Sequence, residues 1–269
     1  MHHENLLQLQ QDIENLAIKA GELIVGIANN GFQVQRKIDH SPVTEADKAA
    51  DDLIVQYLMA RTPDIPVISE ESWQERNWQN CHKTGCFWLV DPLDGTNSFI
   101  KHEPNFSVHI ALIKAGVPVL GVIHAPLFGE TVSTAGTAVS TRYIDNNGCV
   151  TPIIARAEPQ EGHLVAISSG TRGKNYQARV QHFLEEKNIS YHRQEPVFSK
   201  MVELACGRAD VFPCLGGSGE WDTAAGQAIV EALGGRVNTL EGKPLTYGKD
   251  GFQNPYFVAY APSTQGLFF

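Results

Sequence analysis

Asp91 and Asp94 stand three positions apart, around Pro92 and Leu93, directly after the apolar run Phe87-Trp88-Leu89-Val90. The run predicts a short buried strand, and Asp91, Pro92, Asp94 and Gly95 predict a break and a turn at its end. Such a turn can aim both carboxylates and the Leu93 carbonyl into one small volume, a set of hard oxygen donors suited to magnesium. Gly95 and Thr96 follow, where backbone N–H groups at an expected helix start could hold a phosphate. The combination points to metal-assisted phosphoryl chemistry. The competing reading is an acidic turn with an Asp or Thr helix cap.

Other acids repeat the arrangement. Thr44-Glu45-Ala46-Asp47 opens a helix, and there Asp47 could simply serve as a capping-box partner of Thr44, although Glu or Gln is usual at that place. Pro66-Val67-Ile68-Ser69 reads as a strand that ends in Glu70-Glu71. Asp222 sits where another helix begins, as a plain N-cap or as a ligand, and the small run Ala224-Ala225-Gly226 behind it permits a close approach. Five acids at element ends, Asp47, Glu70, Asp91, Asp94 and Asp222, are consistent with a site for several magnesium ions.

The elements that must position these acids are read from periodicity. Leu6, Leu9, Ile13, Leu16, Ala20, Leu23 and Ile27 give an amphipathic helix over 6–27. A strand or hairpin arm is expected over 32–37, a polar loop with Pro42 over 38–43, and a helix carrying Ala50, Leu53, Ile54, Tyr57 and Leu58. Residues 72–85 read as a surface excursion. Phe106–Ile113 and Val117–Ala125 flank Ala115-Gly116 as a hairpin, followed by a strand over Glu130–Thr134. The stretch 136–162 is rich in Gly, Thr, Asn and Pro, and a boundary between two halves is expected near its end, giving 1–160 and 161–269. The second half alternates a strand at Leu164–Ile167, a helix at 173–187, a brief strand at Tyr191, a helix at Ser199–Cys206 and a strand at Ala209–Phe212. A glycine-rich loop at Pro213–Gly219, the helix of Asp222 through Leu233, and strands at 236–238 and 257–260 complete it. The pattern is mixed α/β.

The 269-residue chain carries a net charge of −9, which excludes a general nucleic-acid-binding surface. An anionic small substrate stays compatible, because divalent cations reverse the local field. No run of about eighteen apolar residues predicts a membrane span, and no leader pattern opens the chain. The five cysteines are odd in number and scattered, which fits a reducing cytoplasm. Cys81-His82 with Cys86 resembles half a zinc site, but no second pair completes it.

Asp91-Pro-Leu-Asp-Gly-Thr96 with Phe99, Trp221-Asp-Thr-Ala-Ala225, Glu70-Glu71 after a strand and Ser41-Pro-Val-Thr-Glu-Ala-Asp47 carry a specific resemblance. The chain resembles, over nearly its whole length, the magnesium-dependent, lithium-sensitive phosphatases related to inositol monophosphatase. Among them it looks most like the bacterial 3'(2'),5'-bisphosphate nucleotidases, with support from 63–71, Gly242-Lys-Pro-Leu245 and Asn254-Pro255. The resemblance implies an α/β (α+β) fold, a layered α-β-α-β-α sandwich of the inositol monophosphatase and fructose-1,6-bisphosphatase type with its site between the halves. It implies that Glu70, Asp91 and the Leu93 carbonyl hold one magnesium, and that Asp91, Asp94 and Asp222 hold a second. A third, weaker ion near Glu70 is allowed. Thr96, with Asp47 behind it, would orient and deprotonate the attacking water. Substrate contacts would come from Glu70, Leu93, Asp94, Gly95, Thr96, Lys200 and Asp222.

The implied reaction removes the 3'-phosphate of adenosine 3',5'-bisphosphate, giving AMP and phosphate in the service of sulfate assimilation. An inositol or sugar monophosphatase with the same core is the alternative, and a non-catalytic binder is disfavoured by the full set of acids. The implied partner is a small phosphate ester; some relatives work at the inner face of the membrane, but only an ordinary first helix is seen here. Departures from the nucleotidase pattern fall on the substrate side. Asn97-Ser98 replace Lys-Glu, the run Glu195-Pro-Val-Phe-Ser-Lys200 keeps Lys200 but has Val197 for serine, and Cys214 replaces an arginine. A serine/arginine/histidine turn becomes Ser168-Ser169-Gly170-Thr171, with Arg172 as a substitute.

Overall fold

In the computed structural model, residues 3–37, 41–73, 85–159, 163–170 and 172–264 are described. The two halves of the suggested zinc pair, Cys81 and His82, lie outside the described residues. Helix α1 (His3–Asn30) and helix α2 (Glu45–Arg61) lie side by side. Between them β1 (Val34–Arg36) and β2 (Pro42–Thr44) form a small antiparallel hairpin. Pro42 and Val43, expected in a polar loop, belong to β2 instead. Pro42 is at an edge, where a missing N–H costs no ladder bond.

A seven-stranded sheet is built in chain order from β3 (Val67–Ser69), β4 (Cys86–Asp94), β5 (Ser107–Lys114), β6 (Val117–Ala125), β7 (Glu130–Thr134), β8 (Arg142–Ile144) and β9 (Val150–Pro152). Only β3 and β4 run parallel. Strands β8 and β9 lie inside the stretch read as loop-rich; their side chains are half-buried or exposed, so no alternation marks them. Val90, Val108, Ile110 and Leu112 face α1 and α2, whereas Leu89, Ala111 and Ile113 face the opposite side.

On that opposite side lie the short helix α5 (Lys200–Ala205) and helix α6 (Trp221–Ala232), separated in sequence from the sheet by helix α4 (Lys174–Glu186); α3 (Thr96–Ile100) follows β4. Small residues bring α6 down onto the strands. A Cβ on Gly121 of β6 would stand 2.4 Å from the Ala225 carbonyl oxygen, and one on Gly226 would stand 2.5 Å from Met201 of α5. Beyond α6 comes a five-stranded sheet in the order β11 (Tyr191–Arg193), β10 (Val165–Ile167), β12 (Val211–Cys214), β14 (Phe257–Tyr260), β13 (Arg236–Thr239). Helix α4 packs on its far face through Tyr176, Val180, Phe183 and Leu184. The result is the expected α-β-α-β-α stack. No helix among the described residues is long and apolar enough to cross a membrane.

Candidate active site

Alternation along β4 decides where the acids point. Side chains of a strand alternate between faces, so residues three apart belong on opposite sides. Leu89 faces α6, and Asp91 shares its parity. Between Asp91 and Asp94 the register slips: Asp91 pairs with His109 and Asp94 with Ser107, three residues on β4 against two on β5. That bulge inserts one residue and reverses the parity beyond it. Leu93 thereby turns into the core beneath α1 and α2, while Asp94 joins Asp91 on the α6 face. The strand thus continues as far as Asp94, and the turn expected at Asp91-Pro92 is a bulge inside it. The chain leaves the strand at Gly95, whose φ of 94° and 2.8 Å approach to the Asn105 carbonyl oxygen both require glycine.

Glu70 follows β3 with the same parity as Ile68 and donates its N–H to the Val90 carbonyl at 3.0 Å. Asp222 arrives from above, on the first turn of α6. It is not the N-cap: Glu220 stands before the helix, and one Asp222 carboxylate oxygen accepts from the Gly219 N–H at 2.8 Å. Carboxylate oxygens of Glu70, Asp91 and Asp222 all lie within 4.8 Å of one another. Asp91 is 2% exposed and accepts a 3.0 Å hydrogen bond from Leu93 N–H, with no cationic side chain against it among the described residues.

Burial, and then repulsion from Glu70, Asp94 and Asp222, hold the Asp91 carboxyl well above the usual range. Burial, then Asp94 and Glu70, do the same to Asp222, while the Gly219 N–H and the Arg172 charge oppose the rise. Burial also raises Glu70, against the pull of Lys37. Clustered acids only partly offset by Lys37 and Arg172, all offering oxygen, fit a hard divalent cation better than a softer one.

Thr96, at the start of α3, donates its hydroxyl to Asp47 Oδ1 at 3.0 Å, with the Leu93 carbonyl at 3.3 Å. Asp47 Oδ2 accepts from both the N–H and the hydroxyl of Thr44, at 2.7 and 2.5 Å. The capping box and the expected pairing with Thr96 thus meet in one carboxylate. Lys200, first residue of α5, stands near Asp94 and Arg172; burial lowers the ammonium pKa, and Asp94 counters it.

Some contributors carry no sequence signal of their own. Lys37, following β1, sets its ammonium 2.8 Å from Glu70 Oε1 and 2.7 Å from Glu71 Oε1. Burial pushes Glu71 up to about 7 even so. His109 places Nε2 2.9 Å from Ser107 Oγ and 3.7 Å from Asp94 Oδ2; alternation along β5 sets Ser107 and His109 on the face of Ala111 and Ile113, and the bulge brings Asp94 to the same face. Glu220, fully buried, accepts from the N–H groups of Gly248 and Lys249 at 2.7 and 2.9 Å and so anchors the start of α6. Asn254 Nδ2 donates to the Gly219 carbonyl at 2.7 Å and to Thr223 Oγ1 at 2.9 Å, tying the same turn down.

Of the residues expected to hold metal or substrate, Glu70, Asp91 and Asp222 are in direct reach of one another, and Asp94, Thr96, Asp47 and Lys200 surround them. On the substrate side Cys214 is buried, with Sγ turned toward the Gly216 carbonyl. Thr171 lies outside the described residues.

Residues 6–259 match the model of the inositol monophosphatase family. The chain is 39% identical over 253 residues to the 3'(2'),5'-bisphosphate nucleotidase CysQ of Escherichia coli O157:H7, covering 90% of this chain and 95% of that one. It is 34% identical to the protein of the same name from Aggregatibacter actinomycetemcomitans, covering 93% and 91%. Among solved structures, the CysQ crystal structure from Bacteroides thetaiotaomicron superposes with a TM-score of 0.75 at 30% identity, over 93% of this chain and 95% of that one.

Proposed function

The chain belongs to the inositol monophosphatase family, and on that premise we propose that it is a 3'(2'),5'-bisphosphate nucleotidase, a phosphoric monoester hydrolase that releases the 3'-phosphate of adenosine 3',5'-bisphosphate to leave AMP. The curated relatives carry that name at 34–39% identity over most of their length. The observation that carries the chemistry is the Thr96–Asp47 hydrogen bond beside the Glu70, Asp91 and Asp222 oxygens.

Glu70, Asp91 and the Leu93 carbonyl would hold one magnesium, and Asp91, Asp94 and Asp222 a second. Bound there, magnesium supplies Lewis-acid stabilisation of the phosphoryl oxygens and a more acidic water. Thr96 Oγ gives its own proton to Asp47 Oδ1, so its free lone pairs accept a hydrogen bond from the attacking water. The proton removed as the water oxygen bonds to phosphorus passes through Thr96 to Asp47, which Thr44 holds in position. Gly95 and Thr96 offer backbone N–H groups to the phosphate, fixed before reaction and needing no reorganisation. Lys200 brings positive charge to the substrate side of Asp94. Lys37 already neutralises part of Glu70, so the third magnesium allowed near Glu70 competes with an ammonium. A cytoplasmic role in nucleotide recycling alongside sulfate assimilation belongs to the same reading.

Val197 and the buried Cys214 bring no charge to the substrate, and that favours an inositol or sugar monophosphatase as the second reading. Phosphate release in magnesium, from adenosine 3',5'-bisphosphate and inositol 1-phosphate side by side with and without lithium, separates the two. We expect kcat/KM at least tenfold higher for the nucleotide and inhibition by lithium. A preference for the inositol ester would overturn the assignment.

A further inference from the structure

Resting on the reading that Asp94 and Asp222 hold the second magnesium, we propose that His109 is a positioning residue for it, whose Nε2–H fixes one oxygen of Asp94 and leaves the other for the cation.

Three of the four acids expected as ligands already have one oxygen held. Asp91 Oδ1 accepts from the Leu93 N–H at 3.0 Å, Asp222 Oδ2 from the Gly219 N–H at 2.8 Å, and Glu70 Oε1 from the Lys37 ammonium at 2.8 Å. Asp94 accepts no hydrogen bond from the described residues. It is also the one acid of the four outside the group whose oxygens lie within 4.8 Å of one another. The carboxylate without a donor is thus the one that has not converged. His109 Nε2 stands 3.7 Å from its Oδ2, beyond hydrogen-bond distance. The Asp94 side chain is 39% exposed, so a turn of its carboxylate can close that gap.

His109 can serve in this way only if Nε2 carries a hydrogen, and Ser107 decides that. Ser107 Oγ lies 3.2 Å from the Phe198 carbonyl oxygen and 2.9 Å from His109 Nε2. A carbonyl only accepts, so the single hydroxyl hydrogen goes to Phe198, and the hydrogen between Oγ and the ring comes from Nε2. Phe198 stands two residues before α5, which braces the imidazole from outside its own sheet. The other ring nitrogen, Nδ1, is buried with no hydrogen-bond partner at ordinary geometry, although the Asp222 backbone faces the ring. An unpartnered buried nitrogen is a cost that leucine would avoid in the same space. The imidazole therefore earns its place through the Nε2 edge, the edge turned toward Asp94. Donors behind metal-binding side chains orient them, and losing one typically weakens metal binding by about 10–100-fold.

Calorimetric titration of the full-length chain with magnesium, no substrate present, tests this. Asp94→Asn marks which of the two binding steps Asp94 serves. His109→Leu, which fills the space without a donor, should weaken that step by about 10–100-fold and the other by less than about threefold. His109→Gln, whose amide N–H reaches the Nε2 position, should recover most of the loss. Ser107→Ala keeps the imidazole but removes its brace, and should fall between. Wild-type affinity at both steps in His109→Leu overturns the inference. So does a loss spread equally over both steps, or a Gln variant no better than Leu, since the ring then only fills space. Where His109→Leu does not fold, Ser107→Ala decides alone, and wild-type affinity at both steps overturns the inference. If Asp94→Asn weakens neither step, the assignment of Asp94 to the metal fails first and this inference falls with it.

Discussion

At the scale of single residues, Asp47 answers two demands with its two oxygens. Oδ2 closes the capping box with Thr44, and Oδ1 holds the Thr96 hydroxyl. The cap alone is worth about 1 kcal/mol, whereas removing a positioned general base costs about 10²–10⁴ in rate. The two roles therefore separate in different measurements. Thr96→Ala leaves the cap intact and should lower kcat by about 10²-fold or more with the melting temperature nearly unchanged, while Thr96→Ser restores most of the rate. Asp47→Asn should lose both rate and stability. Steady-state kinetics and thermal melts on the same preparations check this; a Thr96→Ala enzyme within threefold of wild type would show that the proton takes another path.

At the scale of elements, the sequence led us to expect Asp91 and Asp94 to converge through a turn, but the bulge that brings them together was not visible in it. Spacing of three on a regular strand sends Asp91 and Asp94 to opposite faces, and only the bulge against Ser107 and His109 reunites them. No residue pattern announces a bulge, which also hid His109 and Ser107 as neighbours of Asp94. Lys37 was equally illegible, because its partners lie more than thirty positions away, just past the end of β3. By contrast the Thr44–Asp47 capping box was readable, since a helix start fixes local geometry, whereas the pairing of Asp47 with Thr96, 49 positions away, came from the resemblance alone. The back of the seven-stranded sheet has its own close fit, where α1 crosses β6. A Cβ on Gly21 would meet His124 at 2.6 Å and Pro126 at 2.9 Å, and His124 Nδ1 lies 2.9 Å from Thr131 Oγ1. Burial lowers His124 to about 4. Because its folded pKa is depressed, the stability it contributes is present above the unfolded value near 6.5 and is lost as pH falls through about 4. The full loss is about 3 kcal/mol. His124→Gln, which keeps a polar partner for Thr131, should gain on wild type as the pH is lowered from 7 to 4. Denaturant melts across that range decide it; parallel pH curves for the two proteins would mean that the imidazole stays neutral for another reason or is not buried in solution.

At the scale of the whole molecule, two sheets and the helix between them are closed upon a group of acids that repel one another. The fold around them is strong enough to hold that arrangement: α6 lies flat on β5 and β6 because Gly121, Ala225, Gly226 and Ala228 are small, and Glu220 and Asn254 fix its first turn. Lys37 offsets charge at Glu70 and Glu71 and Arg172 part of that at Asp222, while Asp91 has no cationic side chain against it among the described residues, which leaves charge for divalent cations to balance. Magnesium that binds the folded chain and not the unfolded one adds about 2.7 kcal/mol at a hundredfold excess over Kd, a rise of several degrees for a chain of this size. Chelation should therefore lower the melting temperature, and added magnesium should restore it. Asp91→Asn provides the sharper test. Removing the one carboxylate that sits among all the others relieves repulsion, so the metal-free variant should melt at or above metal-free wild type, yet it should gain little from magnesium. If Asp91→Asn instead melts lower without metal and still rises with magnesium as wild type does, Asp91 is a structural acid and the centre of charge that organises the site lies elsewhere.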